Sequence, residues 1–117
     1  MVKKNKETHT SKKMYDRARQ IIPGGVNSPV RYYAPSPFFT AKANGSKIVD
    51  IDGNSYIDYC MAYGPLILGH GNPRVLEAVR KQLPNGSIFG TPTEIEIEFA
   101  ELIAQAVPCV DMIRVTN

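Results

Sequence analysis

Tryptophan is absent from this 117-residue chain, and cysteine and histidine occur only twice each. Cys60 and Cys109 lie far apart with no C-x-x-C pair, which excludes a disulfide framework and makes both small buried apolar residues of a reducing compartment. His9 and His70 have no neighbouring ligand types at metal spacing, so no metal is assigned. No apolar run approaches the roughly 20 residues that cross a bilayer, and Met1-Val2-Lys3-Lys4-Asn5-Lys6 has no apolar stretch behind its charges. The expected location is therefore cytoplasmic, without a membrane partner. The sequons Asn44-Gly45-Ser46 and Asn85-Gly86-Ser87 then read as turns. No internal repeat interrupts this picture of an ordinary globular composition.

The formal charge of +3 is unevenly divided. Residues 1 to 20 carry seven basic groups against Glu7 and Asp16, whereas the remainder carries seven basic and nine acidic groups. The basicity belongs to an arm expected over residues 1–13. Such an arm reads first as a solvated terminus, with an acidic partner as the alternative. No aromatic residue interleaves with its charges before Tyr15, so nucleic acid is not expected.

Met14, Ala18, Ile21 and Ile22 make one apolar stripe, which predicts a helix over Ser11 to Ile22 stopped by Pro23-Gly24. The loop Pro23-Gly24-Gly25-Val26-Asn27-Ser28-Pro29-Val30-Arg31 combines fixed and permissive backbone with a hydroxyl and a guanidinium, a turn suited to holding a small anion. The prolines of Tyr32 to Pro37 keep the next stretch extended. Three short strands, Phe38 to Ala43, Ser46 to Ile51 and Ser55 to Tyr59, are separated by Asn44-Gly45 and Asp52-Gly53, the signature of an antiparallel meander. After an irregular stretch, Asn72 and Pro73 start a helix that ends at Pro84-Asn85-Gly86. A further helix is expected with Thr91 as cap, Pro92 at its first position and Glu94 closing a capping box. Glu94 to Glu98 alternates as a strand would, but Ile95, Phe99, Leu102, Ile103 and Ala106 continue at helical spacing. Val110 to Val115 reads as a buried strand that needs sheet partners, which predicts an N-terminal fragment of a larger α/β protein.

Gly69-His70-Gly71-Asn72-Pro73-Arg74 has arginine where a dinucleotide fingerprint needs its third glycine, and Gly86 to Thr91 lacks the lysine of a P-loop. Arg31 stands alone in the otherwise uncharged stretch from Ile21 to Ala41, a natural bidentate partner for a carboxylate or phosphate. By residue type alone, a structural salt bridge is the commoner role for such a cation.

Taken together, PGGVNSPVR, IVDIDGNSYIDY, GPLILGHGNPRVLEAVRKQ, FGTPTEIEIEFAELIA and MIRVTN resemble the glutamate-1-semialdehyde 2,1-aminomutases of the class III aminotransferase family. The resemblance runs from about Met14 to Asn117. DG-x-x-Y-x-D followed by LGH is shared across the wider family, whereas PGGVNSPVR and FGTPTE are specific to the aminomutases. It implies a fold-type I pyridoxal-phosphate architecture: an N-terminal helix, substrate loop and β-meander over 14–71, then the start of the large cofactor-binding domain over 72–117, with helices leading into its sheet. It also implies a homodimer that converts glutamate 1-semialdehyde to 5-aminolevulinate for tetrapyrrole synthesis, with pyridoxal 5'-phosphate carrying the amino-group chemistry.

On this resemblance Ser28, Arg31 and Tyr63 face the substrate, with Arg31 pairing its carboxylate. Tyr63 stands where the family more often has tryptophan, and its hydroxyl needs a partner. The Ser-Gly-Thr of the phosphate cup and the cofactor lysine would lie beyond Asn117, so no catalytic or cofactor-binding residue is assigned within this span. Two other readings are carried forward: a class III aminotransferase with a separate amino acceptor, and a non-catalytic binding module with a basic arm.

Overall fold

A computed structural model describes residues 8–116. They fall into two compact units, Met1–Glu77 and Ala78–Asn117. The first holds helix α1 (His9–Ala18) and strands β1 (Thr40–Asn44), β2 (Lys47–Asp50) and β3 (Ser55–Ile57); helix α2 (Pro73–Gln82) crosses the boundary, and helix α3 (Glu94–Ala106) belongs to the second.

Helix α1 begins at His9, so residues 9–13 of the expected arm are helical, and residues 1–7 lie outside the described residues. Its inward face also differs from the predicted stripe. Ser11 and Tyr15 are buried and Ala18 and Ile22 half-buried, whereas Met14 and Ile21 are exposed. Two polar side chains can turn inward because each finds a partner. The Ser11 hydroxyl accepts a hydrogen bond from the Phe39 amide at 3.2 Å, and the Tyr15 phenol donates to the Gly24 carbonyl at 3.3 Å. The helix is capped from a distance: Asp52 accepts from the amides of Thr10 (2.7 Å) and Ser11 (2.9 Å). A carboxylate there satisfies orphan amides and complements the helix dipole. After Ala18 the amides of Arg19 and Ile22 still make helical bonds, to the Tyr15 carbonyl at 2.9 Å and the Ala18 carbonyl at 2.8 Å, which lead into Pro23.

The three strands form an antiparallel sheet in the order β1-β2-β3, with Asn44 opposite Lys47 and Ile48 opposite Tyr56. A bulge interrupts the register between Thr40 and Lys42. The expected meander is therefore present: β1 starts two residues later and runs one further, into Asn44, β2 loses one residue at each end, and β3 loses its last two. Asp50 is only 1% exposed, and it accepts from the amides of Asp52 and Asn54, the Asn54 side chain and the Tyr56 phenol at 2.7 to 3.0 Å. Phe38 stacks on Tyr56 with ring centroids 4.7 Å apart, and Tyr33 meets Phe38 edge-on at 5.8 Å. The small core is thus aromatic on one side and a satisfied carboxylate cluster on the other.

In helix α2 the Asn72 side chain accepts from the Arg74 amide at 3.0 Å, as a cap should. Helix α3 starts two residues later than predicted: Thr93, not Thr91, is the cap residue, and its hydroxyl donates to Glu96 at 3.1 Å. Both threonines fit the T-x-x-E pattern. Starting at Glu94 places Glu94 and Glu96 together in the first turn, where the dipole favours carboxylates. Val110 to Val115, expected as a strand, does not form one: the Val110 amide closes a turn on the Val107 carbonyl at 3.0 Å, Asp111 is a bend, and the second unit contains no strand among the described residues to complete a ladder.

Candidate substrate-binding site

The loop after α1 is held by close packing. Gly25 has a φ of +73°, and a side chain there would place its Cβ 2.5 Å from Tyr15 Cε2, so glycine is required both by backbone angle and by space. Pro29 then starts a single turn that ends at Arg31, whose amide donates to the Ser28 carbonyl at 3.0 Å. One face of this loop opens on a hollow of about 660 Å³ bordered by Tyr15, Arg19, Asn27 and Tyr32. The other face opens on a hollow of about 610 Å³, whose walls include Ile22, Val30, Arg31, Phe38, Cys60 and Tyr63.

The second hollow brings two of the three expected substrate residues together. Arg31 is the one formally charged residue of its lining. Lys12 pairs with Asp16 and His70 with Asp58, and among the described residues no carboxylate pairs with the Arg31 guanidinium. Among the described residues the structural salt bridge that residue type favours is not formed. Ser28 is half-buried and precedes the Pro29 turn, but it does not line the hollow.

Tyr63 reaches the hollow on an unusual backbone. Met61, Ala62 and Tyr63 have φ of +46°, +56° and +64°, a left-handed turn built from residues that carry side chains. Each such residue costs about 1 to 2 kcal/mol, so the turn must be held from outside. Asp58 Oδ1 accepts from the amides of Cys60 (2.9 Å) and Met61 (3.0 Å), while Asp58 Oδ2 meets His70 Nε2 at 2.7 Å. His70 is fixed in turn by a two-bond backbone bridge to Gly45, at 2.8 and 2.9 Å. At the far end of this chain of contacts the Tyr63 phenol donates to the Val30 carbonyl at 3.1 Å, next to Arg31. The Tyr63 hydroxyl, expected to need a partner, therefore has one.

The electrostatics follow the same geometry. The hydrogen bond from His70, with those from the Met61 and Cys60 amides, holds Asp58 below the usual carboxylate range. Burial pushes the Tyr63 phenol up, the neighbouring Cys60 thiol adds to the rise, and the Arg31 charge opposes it. Desolvation would raise Asp52, but the hydrogen bonds from Thr10 and Ser11 outweigh it and bring the group down to about 2. Burial and the bond to Asp50 push Tyr56 up to about 12, so it remains a donor.

Sequence reasoning missed Asp58, His70 and Cys60 as parts of this site. Asp58 and His70 lie within DG-x-x-Y-x-D and LGH, but twelve residues separate them, and no spacing rule pairs them. Cys60 and Cys109, expected to be buried, are both exposed; Cys60 lines the hollow within reach of Tyr63. The hollow contains no lysine. Its residues can hold a carboxylate and form an apolar wall, but they do not fit the anchoring of an aldehyde cofactor. No helix among the described residues is long and apolar enough to cross a membrane.

Residues 29–117 match the family model described as aminotransferase class-III. The chain is 55% identical over 107 residues to the glutamate-1-semialdehyde 2,1-aminomutases of Methanothermobacter thermautotrophicus and of Archaeoglobus fulgidus, covering 92% of this chain and 26% of each relative. It spans about a quarter of the length of these curated relatives. Among solved structures, an omega-transaminase from Sphaerobacter thermophilus matches with a TM-score of 0.83 at 40% identity, over 87% of this chain and 23% of that one. A glutamate-1-semialdehyde aminomutase from Pseudomonas aeruginosa matches with a TM-score of 0.74 at 26% identity, over 82% and 22%. The helices and the small antiparallel sheet are thus the α/β arrangement of part of the fold-type I transaminases. The chain belongs to the class-III aminotransferase family.

Proposed function

We propose that these residues form part of a glutamate-1-semialdehyde 2,1-aminomutase and supply one wall of its substrate site. The observation that carries this reading is Arg31: an arginine with no carboxylate partner among the described residues, on a turn fixed by Pro29, facing an otherwise uncharged hollow. A guanidinium in an apolar surround binds a substrate carboxylate by paired charge-assisted hydrogen bonds. Tyr63 closes the same hollow with an aromatic face. Ser28, next to the Pro29 turn, contributes a hydroxyl once substrate is present.

In the whole enzyme, pyridoxal 5'-phosphate supplies the amino-group transfer, and its anchoring lysine is not among the residues of this hollow. Arg31 sets the position of glutamate 1-semialdehyde from its carboxylate end, and the apolar walls exclude water around it. The wider reading, carried by the resemblance, is a cytoplasmic homodimer acting on a small molecule, with neither nucleic acid nor membrane as partner.

The similarity to an omega-transaminase at a TM-score of 0.83 favours a second reading, a class III aminotransferase with a separate amino acceptor. Supplying the whole enzyme, loaded with cofactor, with glutamate 1-semialdehyde alone separates the two. Sustained formation of 5-aminolevulinate is expected of the aminomutase; turnover that requires an added amino acceptor would establish the second reading instead.

A further inference from the structure

The geometry points to Asp58, braced by His70, as a positioning residue that acts through Tyr63 on Arg31; this rests on the reading of Arg31 as the carboxylate clamp. The left-handed turn at Met61, Ala62 and Tyr63 is internally bonded, Tyr63 amide to Cys60 carbonyl at 2.8 Å and Gly64 amide to Met61 carbonyl at 3.2 Å, but such bonds do not choose where the turn sits. Asp58 does. One carboxylate oxygen holds the turn through the Cys60 and Met61 amides, and the other meets His70, which the Gly45 bridge ties to the sheet.

The Asp58 amide also donates to the Ser46 carbonyl at 2.8 Å, so the bracket starts on the β1-β2 turn. Its other end is the Tyr63 phenol on the Val30 carbonyl, which belongs to the same peptide group as the Arg31 amide. The contacts run from the sheet to Arg31 with Asp58 as the part that spans the strained backbone. Neither Asp58 nor His70 lines the hollow, so both act at one remove from substrate.

The test is a double-mutant cycle in the whole enzyme with glutamate 1-semialdehyde, using Tyr63→Phe, Asp58→Ala and their combination. Each single change is expected to raise KM roughly three- to tenfold, the effect of losing one net hydrogen bond, with kcat moved by no more than about twofold. The combination should be no worse than the larger single effect, because both changes release the same contact. Asp58→Asn keeps an oxygen for the two amides and should restore much of the lost KM. Hydrogen exchange supplies a readout apart from turnover: the Cys60 and Met61 amides should lose protection in Asp58→Ala and keep it in Tyr63→Phe.

Unchanged KM in both single variants, or effects that multiply in the combination, would overturn the proposal. Should Asp58→Ala fail to fold, the cycle of Tyr63→Phe with His70→Ala, which removes the brace on the Asp58 carboxylate, decides it by the same criterion. Arg31→Ala serves as the control: if it raises KM while the other variants do not, only the positioning role fails, whereas an unchanged KM in Arg31→Ala removes the clamp itself.

Discussion

Asp52 shows how a single side chain joins distant parts of the chain. Its carboxylate caps α1 from more than 40 residues away and is held near 2, below its ordinary 3.8. A depressed carboxylate contributes stability that is fully present above its unfolded value and is lost as pH falls through its folded value. The stability difference between the wild type and Asp52→Asn should therefore hold at pH 6 and shrink between about pH 4 and pH 2. Melting temperatures of the whole enzyme across that range check it, and a difference that persists to pH 2 would contradict the capping role. Asp50 makes a stronger claim, since Asp50→Ala removes a buried carboxylate that accepts from the Asp52 and Asn54 amides, the Asn54 side chain and the Tyr56 phenol. About 3 kcal/mol or more of destabilisation is expected, seen as a lowered melting temperature.

The elements themselves were largely legible in the sequence. The meander followed from Asn44-Gly45 and Asp52-Gly53, and α3 from apolar spacing that outlasted its strand-like beginning. What could not be read was tertiary. The inward face of α1 is set by partners for Ser11 and Tyr15 that lie on other segments, and Val110 to Val115 carries strand-like residues without a strand beside it. Local pattern also could not choose between two T-x-x-E boxes. Thr93→Ala should cost about 0.5 kcal/mol, the low end for a cap because the hydroxyl meets Glu96 rather than a backbone amide, while Thr91→Ala should be nearly neutral. At the site, the prominence of Arg31 was visible from its isolation in sequence, but the bracket through Asp58 and His70 was not, because hydrogen bonds across a left-handed turn leave no periodic trace. Gly25→Ala tests the loop as a unit. Contact with Tyr15 and a positive φ should together cost about 2 kcal/mol or more and raise KM by displacing Arg31.

For the whole molecule, the balance of buried and exposed apolar surface is the governing fact. Tyr15 is the one large apolar side chain buried among the described residues, while Tyr59, Ile67, Ile88 and Met112 are each about nine-tenths exposed. So little burial cannot offset the conformational entropy of ordering a chain this long. The 117-residue chain in isolation should therefore bind a hydrophobic dye and melt without a sharp transition; a cooperative transition with no dye binding would contradict this. The candidate site likewise shows one cation and an aromatic residue on the edge of an otherwise uncharged hollow. The most direct test pairs an enzyme change with a substrate change: kcat/KM of the wild-type enzyme and of Arg31→Ala, each with glutamate 1-semialdehyde and with the analogue in which the carboxylate is a carboxamide. Loss of a charge-assisted pair predicts a fall of roughly 10- to 100-fold for Arg31→Ala with the natural carboxylate and little change with the carboxamide. Equal losses on both substrates, or none on either, would contradict Arg31 as the carboxylate clamp.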